Sequence, residues 1–164
     1  MTEPGPAYQI RPARPEDVDA IIALVRELAE FERLLHEVRI GPDELRAHLF
    51  GPRPYCEAAL VQVGDDVAGF ALWFHNYSTF VGRPGLYLED LYVRPAFRGQ
   101  GLGEALLRHI AGLAVERGCG RLEWSVLDWN QRAIGFYRSM GAVPMDEWTV
   151  YRVTGDALVQ LARK

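Results

Sequence analysis

The apolar run Leu86-Tyr87-Leu88-Glu89-Asp90-Leu91-Tyr92-Val93 is followed closely by Arg98-Gly99-Gln100-Gly101-Leu102-Gly103 and then by a long amphipathic stretch. The first run reads as a strand. Leu102, Leu106, Ile110 and Leu113 recur at helical spacing up to Glu116, and Gly118 stops them. A strand that enters a helix through glycines commits the chain to layers of sheet and helix. It also opens the helix's first amides to an anion, because glycines let a phosphate approach the backbone. The turn is not a dinucleotide fingerprint, since Glu104 stands where the last glycine would fall, and Gly-Lys-Ser/Thr is absent. The pattern is Arg-x-x-Gly-x-Gly, which would serve either an anion or a plain chain reversal.

The rest of the chain alternates in kind. Tyr8 to Arg11 reads as a strand. Pro15-Glu16-Asp17 opens a helix whose apolar face is Val18, Ile21, Ile22, Val25, Leu28 and Ala29. A second helix follows Gly41-Pro42. Strands from Tyr55 to Val63 and from Val67 to Phe74 flank the turn Gly64-Asp65-Asp66. After the glycine turn and its helix come a strand over Arg121 to Val126, a helix from Gln131 to Met140, an extended run from Val143 to Val153 and a short helix from Asp156. This order predicts an α/β (α+β) protein with a mixed sheet and helices on both faces.

A chain of 164 residues suits one domain, here expected over residues 8–164 behind a loose, Pro/Gly-rich tail at 1–7. Acids outnumber bases 22 to 18, so a basic nucleic-acid footprint and a polybasic membrane anchor are not expected. No run of 18 apolar residues suggests a membrane span. The tail lacks a signal peptide's basic start and apolar stretch. Cys56 and Cys119 have no metal or disulfide spacing and read as reduced thiols of a cytoplasmic protein. His36, His48, His75 and His109 form no ligand pattern, so no metal is expected.

Arg98-x-x-Gly101-x-Gly103, after Leu91-Tyr92-Val93, resembles the acetyl-CoA pyrophosphate loop of the GNAT N-acetyltransferase superfamily. The likeness runs from about Tyr8 to Leu158. It is closest to the diamine acetyltransferases, the group of the spermidine/spermine and thialysine enzymes. It is carried by Ile10-Arg11-Pro12-Ala13, by Glu27-Leu28-Ala29-Glu30-Phe31-Glu32, by Tyr87 to Val93, and by Val126-Leu127-Asp128-Trp129-Asn130-Gln131-Arg132-Ala133. The resemblance implies the GNAT fold, a mostly antiparallel mixed sheet. It implies transfer of an acetyl group from acetyl-CoA to a primary amine of a small diamine, polyamine or thialysine-like amino acid, by direct attack in a ternary complex, in a homodimer. A protein, peptide or antibiotic amine is an alternative acceptor. A non-catalytic acyl-CoA-binding sensor is the alternative from another class.

Such chemistry makes defined demands. An alkyl ammonium has a pKa near ~10.4, so deprotonating it at pH 7 costs ~4–5 kcal/mol. A carboxylate in reach, directly or through water, can bind the ammonium and take its proton. The departing thiolate benefits from a proton donor, and the thioester oxygen from a backbone N–H. The resemblance assigns Glu89 to the amine and its proton, and Tyr137 to the proton returned to the thiolate. Phe31, Glu32, Asp90 and Trp148 line the amine side by the same likeness, Trp148 across a dimer interface. The stretch from Gly141 to Trp148 is shorter than in the spermine enzyme. The donor falls to Leu91, Tyr92 and Val93, whose strand backbone can pair with the peptide-like pantetheine arm. It also falls to Arg98, Gly99, Gln100, Gly101, Leu102 and Gly103, and to Asn130, Gln131, Arg132 and Ala133. Asn130 also suits the cap of its helix.

Overall fold

The computed structural model describes residues 7–163; the expected tail at 1–7 lies outside them apart from Ala7. The chain divides into two compact units, residues 1–125 and 126–164.

The first unit carries the sheet. Its strands are β1 (Tyr8–Pro12), β2 (Glu57–Val63), β3 (Asp66–Ser78), β4 (Arg83–Val93) and β5 (Leu122–Glu123). They lie in the order β1-β2-β3-β4-β5. The first four are antiparallel neighbours and β5 runs parallel to β4. Gly64, at φ +60°, turns β2 into β3, as the hairpin signal predicts. β5 is shorter than the strand expected over Arg121 to Val126.

Helices α1 (Val18–Phe31) and α2 (Pro42–Phe50) cover one face. Val18, Ile21 and Leu24 of α1 pack with Leu45, Leu60, Phe70, Leu72 and Tyr92 in one buried cluster. Each such side chain contributes roughly 1.5–3 kcal/mol on leaving water. A 3-10 turn at Pro15–Asp17 leads into α1. Asp17 ties it to β1, accepting from both Arg11 amino groups at 2.7 and 2.8 Å and from the Arg14 amide at 2.7 Å. Helix α3 (Leu102–Glu116) buries Leu102, Leu106, Leu107, Ile110 and Ala114 and packs on β3 and β4. A 3-10 turn at Pro95–Phe97 separates β4 from the glycine loop.

The second unit holds α4 (Gln131–Ser139) and α5 (Gly155–Arg163). The extended run expected from Val143 to Val153 forms no strand. Its apolar side chains stand in solvent, with Val150 83% and Tyr151 92% exposed.

Candidate active site

Strand β4 is irregular where its acids lie. Leu88 opposes Trp73 and Asp90 opposes Leu72, so Glu89 is an extra residue between two consecutive pairs. Such a bulge bends the strand and changes which face the next side chain meets. Asp90 thereby shares a face with Leu72 and Tyr92, both part of the core under α1. It is partly buried, while Glu89 stays exposed.

The C-terminus of α1 brings a third acid. The Arg33 amide donates to Glu30 O at 3.0 Å and the Leu34 amide to Ala29 O at 2.7 Å, the paired bonds of a Schellman turn. Arg33 itself sits at φ +62°, where glycine is usual. This turn fixes Phe31 and Glu32. Burial, then the charge of Glu89, pushes the Glu32 carboxyl up. Burial, then Glu89 and Glu32, pushes the Asp90 carboxyl up to about 7. The three carboxyls therefore form one electrostatic group. Cys56 stands beside it, and burial together with Asp90 pushes its thiol up, away from reactivity.

The glycine loop follows the same, C-terminal end of β4, just after the 3-10 turn at Pro95–Phe97. Gly99 and Gly101 have φ of +77° and +79°, and a Cβ on either would meet no atom within 4 Å. A left-handed backbone and an open approach account for both glycines. Gly101 precedes α3, so the amides of Leu102, Gly103 and Glu104 have no carbonyl a turn before them. The side chain of Arg98 donates from Nε to Val93 O at 2.9 Å. Its guanidinium lies over the rings of Phe31, at 5.2 Å, and Tyr92, at 5.6 Å. On the outer edge of β4, β5 pairs only at Leu86 and Tyr87, and the edge from Leu88 to Val93 has no strand beside it among the described residues.

The first unit thus brings together Phe31, Glu32, Glu89, Asp90, Leu91, Tyr92, Val93 and the loop from Arg98 to Gly103. The second unit carries Asn130, Gln131, Arg132, Ala133 and Tyr137 on or at the start of α4. Asn130 Oδ1 accepts from the Ala133 amide at 3.2 Å, the cap expected of it. Tyr137 is partly buried, its ring 5.4 Å from that of Phe136. Trp148 lies on the irregular stretch after α4 and is 72% exposed. Sequence reasoning missed Glu27 and Arg94. Arg94 Nη2 meets Glu27 Oε1 at 3.1 Å, and its Nη1 donates to Val67 O at 2.9 Å. The only signal for them was spacing: Glu27 and Phe31 are four residues apart, as are Arg94 and Arg98. Among the described residues no His, Cys, Asp and Glu group is arranged to hold a metal.

The sequence profile of the Acetyltransferase (GNAT) family matches residues 21–142. Thialysine N-epsilon-acetyltransferase of Bos taurus is 39% identical over 94% of this chain and 97% of its own length. L-ornithine N5-acetyltransferase of Arabidopsis thaliana is 34% identical over 92% of this chain and 86% of its own. Among solved structures, an integron cassette protein of Vibrio cholerae superposes with a TM-score of 0.80 at 26% identity, covering 98% of this chain and 100% of that one.

Proposed function

The chain belongs to the Acetyltransferase (GNAT) family, and on that premise we propose that it moves an acetyl group from acetyl-CoA to a primary amine of a small diamine or thialysine-like amino acid. The observation that carries the acceptor class is the grouping of Glu32, Glu89 and Asp90 around the last residues of β4, with the glycine loop following directly after that strand. Like charges gathered at a partly buried place raise one another's pKa, and a cation relieves them all. An alkyl ammonium is such a cation. The names of the thialysine and ornithine relatives point the same way.

Acetyl-CoA supplies the activated acyl group. The chain's residues do the remainder. The open amides at the start of α3 and Arg98 hold the pyrophosphate, and the bare β4 edge at Leu91 to Val93 pairs with the amide-bearing arm. Glu89, exposed on its bulge, accepts the ammonium's proton through a water, and the freed nitrogen forms its bond to the acyl carbon as the carbon–sulfur bond breaks. Backbone N–H groups of the bulged edge stabilise the negative charge on the acyl oxygen. Tyr137 gives a proton to the sulfur and is restored, through water, by the second proton that the nitrogen sheds as the amide forms; its support is the likeness of the Val126–Ala133 segment and the helix it opens. Residues 8–164 work as one catalytic domain. The protein is a cytoplasmic homodimer in this reading, supported by the family likeness and by the exposed apolar side chains of Val143, Val150 and Tyr151. Among the described residues no helix is long and apolar enough to cross a membrane.

The test is turnover of acetyl-CoA with thialysine, lysine, ornithine, putrescine, spermidine, spermine and lysine peptides, with products identified by mass. Acetylation of a small diamine or amino acid is expected. Turnover on peptides alone would move the acceptor to proteins, and tight CoA binding without turnover on any amine would replace the enzyme by a sensor.

A further inference from the structure

Glu27 and Phe31 stand one turn apart on α1, so they share a face. Each engages a cation of the connection between β4 and α3. Glu27 holds Arg94 through Nε at 3.2 Å and Nη2 at 3.1 Å. Phe31 holds Arg98 by its ring face at 5.2 Å. The two arginines are themselves four residues apart, across the 3-10 turn at Pro95–Phe97. The end of α1 is therefore fastened to the glycine loop by two parallel contacts, one ionic and one cation–π.

We propose that Phe31 is a positioning residue for the acetyl donor, acting through Arg98, rather than a lining residue of the amine pocket. This rests on the reading that the loop takes the donor's pyrophosphate. Arg98 has its Nε committed to the Val93 carbonyl, which leaves its two amino groups to meet an anion. A long side chain loses rotamer freedom when it binds a phosphate. Two ring faces and a carbonyl that already fix its plane remove much of that cost in advance. Tyr92 is buried and cannot leave its place without disturbing the core, but Phe31 is 43% exposed. The exposed ring faces the arginine, and the next residue, Glu32, turns to the acids. One helix end thus serves the donor with one residue and the acceptor with its neighbour.

The experiment is calorimetric titration of CoA into the full chain as wild type, Phe31→Leu, Phe31→Tyr, Arg98→Ala and the Phe31→Leu/Arg98→Ala double variant, each with a melting curve to establish folding. Loss of the ring face in Phe31→Leu is expected to weaken CoA binding about two- to fivefold, and Phe31→Tyr is expected to keep it. In the Arg98→Ala background the leucine is expected to add nothing. Wild-type CoA affinity in Phe31→Leu would overturn the proposal, as would an equal loss with and without Arg98. A wild type that binds no CoA would fail at the first titration, bringing down the donor reading itself and this proposal with it.

Discussion

Glu89 and Asp90 are chain neighbours that the bulge between the Trp73–Leu88 and Leu72–Asp90 pairs sends into different surroundings, one to solvent and one toward the core under α1. Burial and the charges of Glu89 and Glu32 push the Asp90 carboxyl up to about 7. A carboxyl raised on folding binds a proton in the native state that the unfolded chain releases. The contribution of Asp90 to stability is thus greatest at acid pH and falls as pH rises from about 4 to about 7, by roughly 4 kcal/mol in all. Asp90→Asn removes the buried charge and keeps the shape. We expect urea unfolding to show the variant stabilised by about 2–4 kcal/mol at pH 8 and near wild type at pH 4. Equal gains at both values would mean that the charge of Asp90 is not the cost.

Glu89→Gln and Tyr137→Phe separate the two proton transfers. Glutamine keeps the size of Glu89 and accepts no proton at neutral pH, so kcat/KM is expected to fall about 10²- to 10⁴-fold. Its CoA affinity is expected to stay within about twofold of wild type. Raising the pH supplies neutral amine from solution and should recover part of the loss. Tyr137→Phe removes only a hydroxyl, and the same range of loss in kcat is expected without that recovery. Steady-state kinetics from pH 6 to 10 decide both, and wild-type turnover in either variant removes that residue from the reaction.

Asp17 gives the opposite pH signature to Asp90. Its carboxyl is fixed by Arg11 and the Arg14 amide and is lowered, chiefly by the Arg11 hydrogen bonds. A depressed pKa contributes stability that is full above the unfolded value near 4 and is lost as pH falls through the folded one. With side chains only 12% and 11% exposed, removing the charge leaves a guanidinium poorly paired. Asp17→Asn is expected to cost about 3–5 kcal/mol at pH 7 and progressively less below pH 4. A flat cost across that range would assign the loss to geometry instead of charge.

Periodicity and turn chemistry made most of the first unit legible. The α1 face, the Gly64 hairpin and the strand–glycine–helix passage stand where their residues predict them. What escaped depends on pairing across the chain. Nothing in Leu88-Glu89-Asp90-Leu91 announces a bulge, because the shift is set by the register against Leu72 and Trp73. The Schellman turn of α1 was hidden by Arg33, which takes a backbone conformation normally left to glycine. The Glu27–Arg94 and Phe31–Arg98 contacts join residues 67 apart in sequence. The Val143–Val153 run has the β-branched composition of a strand, yet among the described residues of its own unit none pairs with it. Glu89, Asp90 and the loop were named from the sequence, whereas the contact of Phe31 with Arg98 was not.

Gly101 and Gly103 differ in what they do, and alanine at each tells fold from function. Gly101 precedes α3 at φ +79°, where a Cβ meets open space but the backbone itself is strained. Gly101→Ala is expected to cost about 1–2 kcal/mol of stability. Gly103 lies inside α3, with a Cβ's nearest neighbour Val93 Cγ2 at 3.9 Å, ordinary contact. The fold does not need glycine there, and alanine is the better helix former by up to about 1 kcal/mol. If an anion closes on these amides, a methyl group at 103 stands in its way. Gly103→Ala is therefore expected to melt at or above the wild-type temperature while losing at least about tenfold in CoA affinity. A variant that gains stability and still binds CoA as wild type does would place the pyrophosphate elsewhere on the loop.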